Sequence, residues 1–494
     1  MRVYGFGYRV NRQSSGIDPQ AQAFYDNVLA DGGIVSEPLS YISDIYKAIK
    51  QARGQNDINN CFLSKYHAPF GLKLAAGVGA TAGNRACAKL YNLIGTTNDA
   101  EQISPANQPL ALVHSGSNYV YSPGVTGNFF STPNAAANQI YGDFSLQIII
   151  NIRSLSFAQT IYSKWGGLNI LGIDITSAGV LQINYHNGAV RQVVSAPGFI
   201  TTGLQTLTIT RNSTTGKWFA NGVDLGGVAG DLSASTSVIN IGSFASTGGQ
   251  TINGEIFRLR VWANDSLSGV PNLDFNPNNY NRATSQTTWT STTGEVWTLN
   301  TPATNNALKA AIVDQTMVMG NGSSYGLRAA NLNINQTAIT NYVAFRKFVN
   351  TAGDQIINEL GQNAVSLPGF ALRINGFAGF ESLELFANVG RYNNNFAQSS
   401  FNLALRTSVR NINNANESAP FMFNNSNIEL TGSSSAANNT AAMNATGYNL
   451  LARNNAAGSW ANAILIGDSI CAGEDSLAIR TAMWDIYKSL IKVA

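Results

Sequence analysis

The chain has 494 residues, of which only 12% are charged, against roughly 25% in an average soluble protein, and its net charge is +3. Without a cluster of Lys and Arg, it offers no electrostatic footprint for nucleic acid or an anionic membrane, so neither is an expected partner. Hydrophobic residues make up 44% of the chain, enough for roughly two to four domains with real cores. The abundant Gly, Ser, Thr and Asn favour short strands joined by turns.

Neither the opening stretch nor the cysteines point to export or to a metal. The stretch "MRVYGFGYRVNRQSSG" lacks the apolar segment of a signal peptide, and no run approaches the ~18 apolar residues of a membrane span. Cys61, Cys87 and Cys471 are scattered, with neither disulfide nor metal spacing, and are expected to be buried thiols. We therefore expect synthesis in a cytoplasm, without a signal peptide and without membrane insertion.

Two helices are predicted near the N-terminus. Asp18 is a suitable N-cap with Pro19 at the first helical position, and Gly32-Gly33 ends the first helix. The second helix follows in "SEPLSYISDIYKAIKQAR", where apolar residues recur at spacings of three and four. Residues 1–109 are therefore predicted to form a small helical segment with an anchoring role.

From about residue 110 the hydrophobic period changes to two. In "GDFSLQIIINIRS" the alternating apolar residues of a half-buried strand are Phe144, Leu146, Ile148, Ile150 and Ile152. Similar short segments follow without intervening helices, which is typical of an all-β sandwich or jelly roll.

This β pattern occurs twice, on either side of a predicted connector. The connector, 269–309, mixes turn formers with Trp289 and Trp297, whose side chains need burial against neighbouring domains. Three pairs of segments correspond in order: "LVHSGSNYVYSP" with "MVMGNGSSYGLRA", "TIYSKWGG" with "QIINELGQ", and "SVINIGSF" with "NAILIGDS". A diverged duplication is therefore predicted, with one sandwich at 110–268 and a second copy at 310–494 that ends in a short helix.

The first copy resembles the LamG or concanavalin A-like jelly rolls. That family has a "vavtr"-type strand, a hairpin carrying "yvNG", an "l.iG" strand, an "f.G.i..vrvyn" strand and a closing "Ls". The matching segments here are Leu207 to Arg211, Asn221-Gly222, Ile241-Gly242, Gly254 to Trp262 and Leu267-Ser268. The resemblance implies a mainly β fold of two such jelly rolls. It makes Asn221, Gly222, Gly242 and Gly254 structural motif positions, with Gly467 as the corresponding glycine of the second copy.

A second resemblance concerns the two ends of the chain. "GIDPQAQAFYDNVLADGGIVSE" with "NLIGTTNDA", and the helix that follows "ILIGDS", are similar to segments of tailed-bacteriophage virion proteins. This implies a structural component of the virion, either a tail or fibre-type appendage or a capsid-surface decoration protein, that acts through protein–protein assembly. The expected partners are portal, tail or capsid subunits and further copies of this chain, and the expected location is the virion.

The stretch "ILIGDSICAGEDS" raises the question of a catalytic serine, because an apolar strand followed by Gly-Asp-Ser also begins GDSL-type esterases. Such an enzyme needs a long domain after its nucleophile and a late Asp-x-x-His pair that supplies the base. Only 25 residues follow Ser469, and none is a histidine. We therefore predict no enzymatic activity. Gly467 and Asp468 are predicted to form a turn before a last helix capped by Asp475 or Ser476.

Calcium is considered because concanavalin A-like domains often bind it through rim loops. The aspartates near predicted strand ends are Asp143, Asp174, Asp224 and Asp265. They form no dense Asp/Asn loop of the calcium-binding type, so no cofactor is predicted, and Ca²⁺ is left open without assigned ligands.

Carbohydrate is the other ligand considered, because aromatic side chains at strand ends can stack on sugar rings. Trp165 and Tyr185 are the predicted glycan-binding residues, whereas Trp218 and Trp262 are expected to fill the core. The alternative function is therefore a host-attachment adhesin that binds cell-surface glycans through a jelly-roll domain.

Overall fold

The structure is a computed structural model that describes residues 16–75, 86–95, 97–135, 139–165, 171–244, 249–282, 284–285, 287–302, 308–348, 354–360, 369–375, 380–387, 390–397, 404–411, 421–423, 429–431, 433–434, 443–452, 461 and 463–492. These residues fall into two units. The central sandwich lies within Ala75–Ala86 and Leu110–Thr316; the terminal sandwich lies within Met1–Leu74, Cys87–Pro109 and Met317–Ala494. The chain thus divides differently from the segments drawn on the sequence.

Three α-helices belong to the terminal sandwich: α1 (Pro19–Ala30), α2 (Leu39–Arg53) and α3 (Leu477–Leu490). The Asp18 carboxylate accepts hydrogen bonds from the backbone N–H groups of Gln20 and Ala21, which confirms it as the cap of α1. Of the two caps left open for the last helix, Ser476 is the one observed. None of the described helices is both long enough and apolar enough to cross a membrane.

The strands of the central sandwich are short and closely spaced along the chain. They are β5 (Leu110–Leu112), β6 (Tyr119–Pro123), β7 (Phe129–Thr132), β8 (Phe144–Ile152), β9 (Gln159–Lys164), β10 (Leu171–Ile175), β11 (Leu181–His186), β12 (Val190–Val194), β13 (Gly203–Arg211), β14 (Lys217–Ala220), β15 (Val223–Gly227), β16 (Ile239–Ile241), β17 (Asn253–Trp262), β18 (Leu273–Phe275), β19 (Thr288–Thr290), β20 (Val296–Asn300) and β21 (Ala311–Val313).

The strands of the terminal sandwich come from both ends of the chain. They are β1 (Ser64–His67), β2 (Leu72–Leu74), β3 (Cys87–Leu90), β4 (Ala100–Glu101), β22 (Met317–Met319), β23 (Leu327–Gln336), β24 (Ala338–Lys347), β25 (Asp354–Leu360), β26 (Gly369–Asn375), β27 (Phe380–Ala387), β28 (Gly390–Ala397), β29 (Ala404–Asn411), β30 (Phe421–Phe423), β31 (Glu429–Thr431), β32 (Ser433–Ser434), β33 (Met443–Leu450) and β34 (Ala463–Ala472).

Two sheets with a shared apolar core form the central sandwich. Sheet 1 has the order β15-β14-β13-β8-β17-β6-β21, with β18 also on β17, and sheet 2 has the order β12-β11-β10-β9-β16-β7-β20-β19. The alternating residues of β8 that were predicted to be buried are all in this core, which sheet 2 completes with residues such as Ile173 and Ile241. Burial of these apolar side chains between the sheets is the main stabilising contribution to the sandwich.

The segment predicted as a connector supplies strands to the central sandwich. Strand β18 pairs with β17, β20 pairs with β7, and β21 pairs with β6. Trp289 and Trp297 are buried as their size demands, but in the core of this sandwich, where Phe275 lies 4.9 Å from Trp297 between ring centroids. The central sandwich therefore extends beyond residue 268.

The terminal sandwich is also built from two sheets. Sheet 3 includes the order β29-β24-β34-β22, with β1 also on β34, and sheet 4 has the order β2-β3-β4-β23-β33-β25-β26-β27-β28-β32. Residues 64–101, predicted to belong to a helical segment, thus contribute four strands. The predicted fold class is confirmed: the chain is mainly β, with two sandwiches, a small N-terminal helical segment and a C-terminal helix.

The two sandwiches share one strand order. The run β13-β8-β17-β6 of sheet 1 matches β29-β24-β34-β22 of sheet 3, and the run β12-β11-β10-β9-β16-β7 of sheet 2 matches β28-β27-β26-β25-β33-β23 of sheet 4. The matched strands also follow each other in the same sequence along the chain. This agreement supports the duplication inferred from the sequence.

Two of the three segment pairs proposed from the sequence contain equivalent strands: β6 in "LVHSGSNYVYSP" with β22 in "MVMGNGSSYGLRA", and β9 in "TIYSKWGG" with β25 in "QIINELGQ". The third pair does not. "SVINIGSF" contains β16, which matches β33, whereas "NAILIGDS" contains β34, which matches β17. Gly467 is therefore not the counterpart of Gly242.

The glycines of the jelly-roll motif have separate backbone roles. Asn221 and Gly222 both have positive φ, 46° and 80°, and form the two-residue turn between β14 and β15. Gly242, with φ 77°, follows β16. Gly254 has another role: a Cβ atom there would lie 2.1 Å from the backbone oxygen of Asn151 in the neighbouring strand β8.

Gly254→Ala is expected to destabilise the central sandwich by about 3 kcal/mol, the upper part of the range for overpacking, because the obstructing atom is backbone that cannot move without disturbing the β8–β17 pairing. Urea unfolding followed by tryptophan fluorescence would measure it. The control is Gly142→Ala in the same sandwich, where the nearest atoms to a new Cβ are 3.8 Å away. Equal stability of both variants would contradict the prediction.

Candidate functional site

Ser469 lies inside strand β34 and not in a turn. It pairs with Lys65 of β1 on one side and Tyr342 of β24 on the other, and it is fully buried. The turn predicted at Gly467 and Asp468 is therefore wrong, because the strand continues to Ala472 before helix α3 begins. Gly467 is needed for space: a Cβ there would lie 2.9 Å from Nδ1 of His67.

The side chains around Ser469 do not form a serine–histidine pair. Its hydroxyl shares a hydrogen bond with the Tyr487 hydroxyl, to which the Lys65 ammonium group also donates at 2.9 Å. Burial lowers the pKa of Lys65 to about 7 and holds the pKa of His67 well below its ordinary value. Since Ser469 has no exposure to solvent, this cluster joins helix α3 to sheet 3 and offers a substrate no access.

The four aspartates considered for calcium lie apart and accept hydrogen bonds from protein donors. The contacts are Ser213 to Asp143, Thr160 and Asn184 to Asp174, Lys217 to Asp224, and Asn212 to Asp265. Among the described residues, no group of three or more His, Cys, Asp or Glu side chains could hold a metal ion.

The two predicted glycan-binding residues have different surroundings. Tyr185 is 1% exposed, packs on Trp218 with ring centroids 5.3 Å apart, and accepts a hydrogen bond from the backbone N–H of Val228. It presents no ring face to a ligand, which removes it from the candidate site. Trp218 lies in the core, as expected, whereas Trp262 is buried outside that core, and its Nε1 donates to the carbonyl oxygen of Gly269. Trp165 is only half-buried.

Trp165 lies on the outer face of sheet 2, over the position of Gly172 in β10. A Cβ atom added to Gly172 would be 3.5 Å from the indole ring, so the missing side chain leaves room for the ring against the strand. Phe244, also half-buried, flanks Trp165 with ring centroids 4.7 Å apart. An aromatic pair therefore lies on this sheet face, which also exposes Val190 and Val194 of β12.

One cross-strand row on this outer face is polar across all eight strands. In order from β12 to β19 it consists of Gln192, Asn184, Gly172, Ser163, Asn240, Ser131, Thr298 and Thr288. The adjacent row faces the core and is apolar: Val193, Ile183, Ile173, Tyr162, Ile241, Phe130 and Leu299. The period-two geometry of each strand separates the two rows.

The row is covered at its centre and open towards β12. Ser163 and Asn240 are buried, and the Ser163 hydroxyl donates to the Phe244 carbonyl at 2.6 Å. In contrast, Gln182 and Asn184 of β11 are partly exposed, and Gln192 of β12 is exposed. We name these three amides, together with Trp165, the amide patch.

A directed hydrogen-bond chain orients the amide patch. Gln192 Nε2 donates to Asn184 Oδ1 at 2.8 Å, and Asn184 Nδ2 donates to Asp174 Oδ2 at 2.9 Å. Thr160 donates to the other oxygen of Asp174 at 2.6 Å. Burial raises the pKa of Asp174. Asn184 and Gln192 are thus pre-oriented amides beside an aromatic ring and next to the Asp174 carboxylate, an arrangement suited to a ligand with several hydroxyl groups.

Sheet 4 of the terminal sandwich carries a row of different character. Its register aligns Asn393, Glu384, Ala371, Glu359, Asn449, Arg328, Glu101, Lys89 and Lys73 across nine strands. Within it, Asn449 donates to Glu359 at 3.0 Å and Lys89 pairs with Glu101 at 2.9 Å. This row is charged where the row on sheet 2 is neutral.

Strand order and core define the chain as a mainly β protein of two sandwiches. No family model matches it, and no curated protein matches its sequence. Among solved structures it is similar to domains LG4–5 of the mouse laminin α1 chain, with 9% identity, a TM-score of 0.27, and coverage of 72% of this chain and 87% of that one.

It is also similar to domain 4 of an extracellular arabinanase from Geobacillus stearothermophilus in complex with arabinotriose. That match has 12% identity and a TM-score of 0.27 and covers 34% of this chain and 78% of the other. The LG1–3 region of the laminin α2 chain matches with 10% identity and a TM-score of 0.24, covering 73% and 63% respectively. At these scores the fold rests on the sheet topology of the chain itself, and nothing about function follows from these likenesses.

Proposed function

We propose that this chain is a non-catalytic carbohydrate-binding protein whose central sandwich contacts sugar through the amide patch. The observation that carries the proposal is the aligned pair of amides Asn184 and Gln192, with Gln182 on the same face of β11, beside the half-buried ring of Trp165. Amide groups donate and accept at once, as sugar hydroxyls do, and the apolar face of a pyranose packs on an indole ring. Because the hydrogen-bond chain fixes the side chains of Asn184 and Gln192 before binding, they lose little rotamer entropy.

Trp165→Ala is expected to lower affinity for the bound glycan at least tenfold, because a buried aromatic contact typically contributes more than about 1.4 kcal/mol. The full-length protein is first screened on a glycan array, and the best ligand is then titrated by calorimetry. Gln192→Ala, at an exposed position that does not support the core, should also weaken binding.

The matched control is Tyr141→Ala, which removes an aromatic residue that is 43% exposed in the same sandwich. It should leave affinity unchanged, and circular dichroism confirms that each variant is folded. Absence of glycan binding at millimolar sugar, or equal losses for Trp165→Ala and Tyr141→Ala, would contradict the proposal.

We further propose that the protein acts on the virion of a tailed bacteriophage, as a host-attachment or assembly component made in the host cytoplasm. This proposal is supported by the similarity of the segments near both ends of the chain to virion proteins. The proposed partners are portal, tail or capsid subunits and further copies of the chain. If this proposal is correct, immunogold labelling of this chain on phage particles should mark an appendage or the capsid surface in electron micrographs. Unlabelled particles that lack the chain by mass spectrometry would contradict it.

A further inference from the structure

The outer face of sheet 1 carries an arginine without a carboxylate partner. Arg258 and Arg260 are neighbours on the exposed side of β17, and both are half-buried. Arg258 forms two hydrogen bonds of 2.8 Å to the two carboxylate oxygens of Asp274. Although Arg260 lies directly opposite Asp274 in the β17–β18 register, no carboxylate of the described residues lies within 4.0 Å of its guanidinium group.

Neutral groups hold Arg260 in place. Its Nη2 atom donates to Oε1 of Gln147 at 2.5 Å, and its Cζ atom lies 5.3 Å from the ring centroid of Trp262. Stacking on Trp262 fixes the plane of the guanidinium group, and a guanidinium group carries five N–H donors, most of which this arrangement leaves available. The amide nitrogen of Gln147 has no hydrogen-bond partner in the part of the chain that the structure describes. Two sets of donors therefore lie side by side.

Apart from the bonded pair of Arg258 and Asp274, the neighbours of Arg260 on strands β8 and β13 carry amide and hydroxyl groups. Thr208 lies opposite Gln147 in the β13–β8 register, so that Thr208, Gln147 and Arg260 occupy one row across three strands. Adjacent strands are about 4.8 Å apart, so this row spans about 10 Å, the length of a disaccharide. In contrast, Arg153 and Lys217 form ion pairs with Glu255 and Asp224.

We infer that Arg260 is the carboxylate-binding subsite of a second surface on this protein, one that takes an acidic sugar. The guanidinium edge and the amide nitrogen of Gln147 donate to the sugar carboxylate, for which Arg offers bidentate geometry, and Thr208 lies within reach of the hydroxyls of the neighbouring sugar unit. The inference extends the proposed carbohydrate-binding function to acidic glycans, but it involves none of the residues of the amide patch.

The test compares an acid with its neutral ester on the full-length protein. Tetragalacturonate and its methyl ester are titrated by calorimetry against the wild type, Arg260→Gln and Arg260→Lys. We expect the wild type to bind the acid at least tenfold more tightly than the ester. Arg260→Gln removes that preference, and Arg260→Lys, which lacks the planar fork, keeps only part of it.

Arg191→Gln is the matched control, because Arg191 is an exposed arginine on edge strand β12 of the other sheet, and it should change nothing. Equal binding of acid and ester, or equal effects of Arg191→Gln and Arg260→Gln, would overturn the inference. Full displacement of the acid by equimolar inorganic sulfate would also overturn it, since the site would then bind any anion. Loss of acid preference in Arg260→Gln with intact neutral-glycan binding, and the converse in Trp165→Ala, separates the two surfaces.

Discussion

Lys65→Met is expected to stabilise the terminal sandwich at pH 7 by about 3 kcal/mol. Burial lowers the pKa of Lys65 from 10.5 to about 7 in the folded protein, and at pH 7 that difference costs about 4 kcal/mol of folding free energy. Contacts of the ammonium group with the rings of Tyr487 and Phe62, at 4.4 and 5.0 Å, offset about 1 kcal/mol of this. Methionine has a similar length and does not titrate.

The sign of the pH dependence follows from a folded-state pKa below the unfolded one. The neutral amine is favoured in the folded protein, so wild-type stability should rise from pH 7 to pH 10, whereas the Met variant should show no such rise. Its control is Lys73→Met, a partly exposed lysine of the same sandwich that pairs with Asp31. A wild-type stability that stays constant or falls over this range would contradict the prediction.

The cysteines provide a readout that is specific to this sandwich. All three, Cys61, Cys87 and Cys471, are buried and lie in the terminal sandwich. Pulse alkylation at increasing urea concentrations therefore measures the opening of this unit, independently of the central sandwich. Quantification by mass spectrometry then gives its free energy of unfolding at each pH.

Asp468→Asn is expected to stabilise the same sandwich at pH 7 by about 2 kcal/mol. Asp468 of sheet 3 is fully buried and accepts hydrogen bonds of 2.5 Å from Tyr448 and Asn358, both of sheet 4. Burial raises its pKa from 3.8 to about 6, and ionisation at pH 7 therefore costs about 3 kcal/mol. The asparagine loses one acceptor, which costs about 1 kcal/mol.

Here the folded-state pKa lies above the unfolded one, and the pH window is different. The stabilising contribution of the protonated acid is fully present below pH 3.8 and is lost as the pH rises through 6, so the contribution of Asp468 to wild-type stability should fall between pH 4 and pH 6. Asp485→Asn, at a partly exposed position of α3, serves as the control. An Asn variant that is less stable than the wild type at pH 7 would show that the carboxylate is needed to join the two sheets.

Local sequence patterns were sufficient to predict those elements whose formation depends only on neighbouring residues. The alternation over β8 and the cap at Asp18 were both predicted correctly, because period two and an N-terminal carboxylate act within a few residues. The same alternation in "VLQINYHNG" places Gln182 and Asn184 on the face opposite Ile183. That signal could have identified two members of the amide patch, whereas their alignment with Gln192 and Trp165 depends on strand pairing.

Other features could not be predicted from local sequence, because contacts with residues distant in the chain determine the backbone conformation and the side-chain orientation. Gly467, Asp468 and Ser469 have turn-forming chemistry, yet they lie in a buried strand since Tyr448, Asn358 and Tyr487 satisfy their polar groups from elsewhere in the chain. Tyr185 ends a strand, as predicted for a ligand-binding residue, but its register turns the ring inward against Trp218. The residue types were compatible with a turn or a strand in the first case, and with a ligand contact or a core position in the second. The tertiary contacts determined which of the two is adopted.

The shared strand order of the two sandwiches has a consequence for how this protein can evolve. The outer rows of sheets 2 and 4 lie on faces that do not build the sandwich cores, so substitutions at their exposed positions, such as Gln192, can accumulate with little loss of folding stability. One row has remained without charge and the other carries both signs. Screening by salt therefore acts on the second and hardly on the first. A single polypeptide in this way carries two surface rows that respond differently to ionic strength.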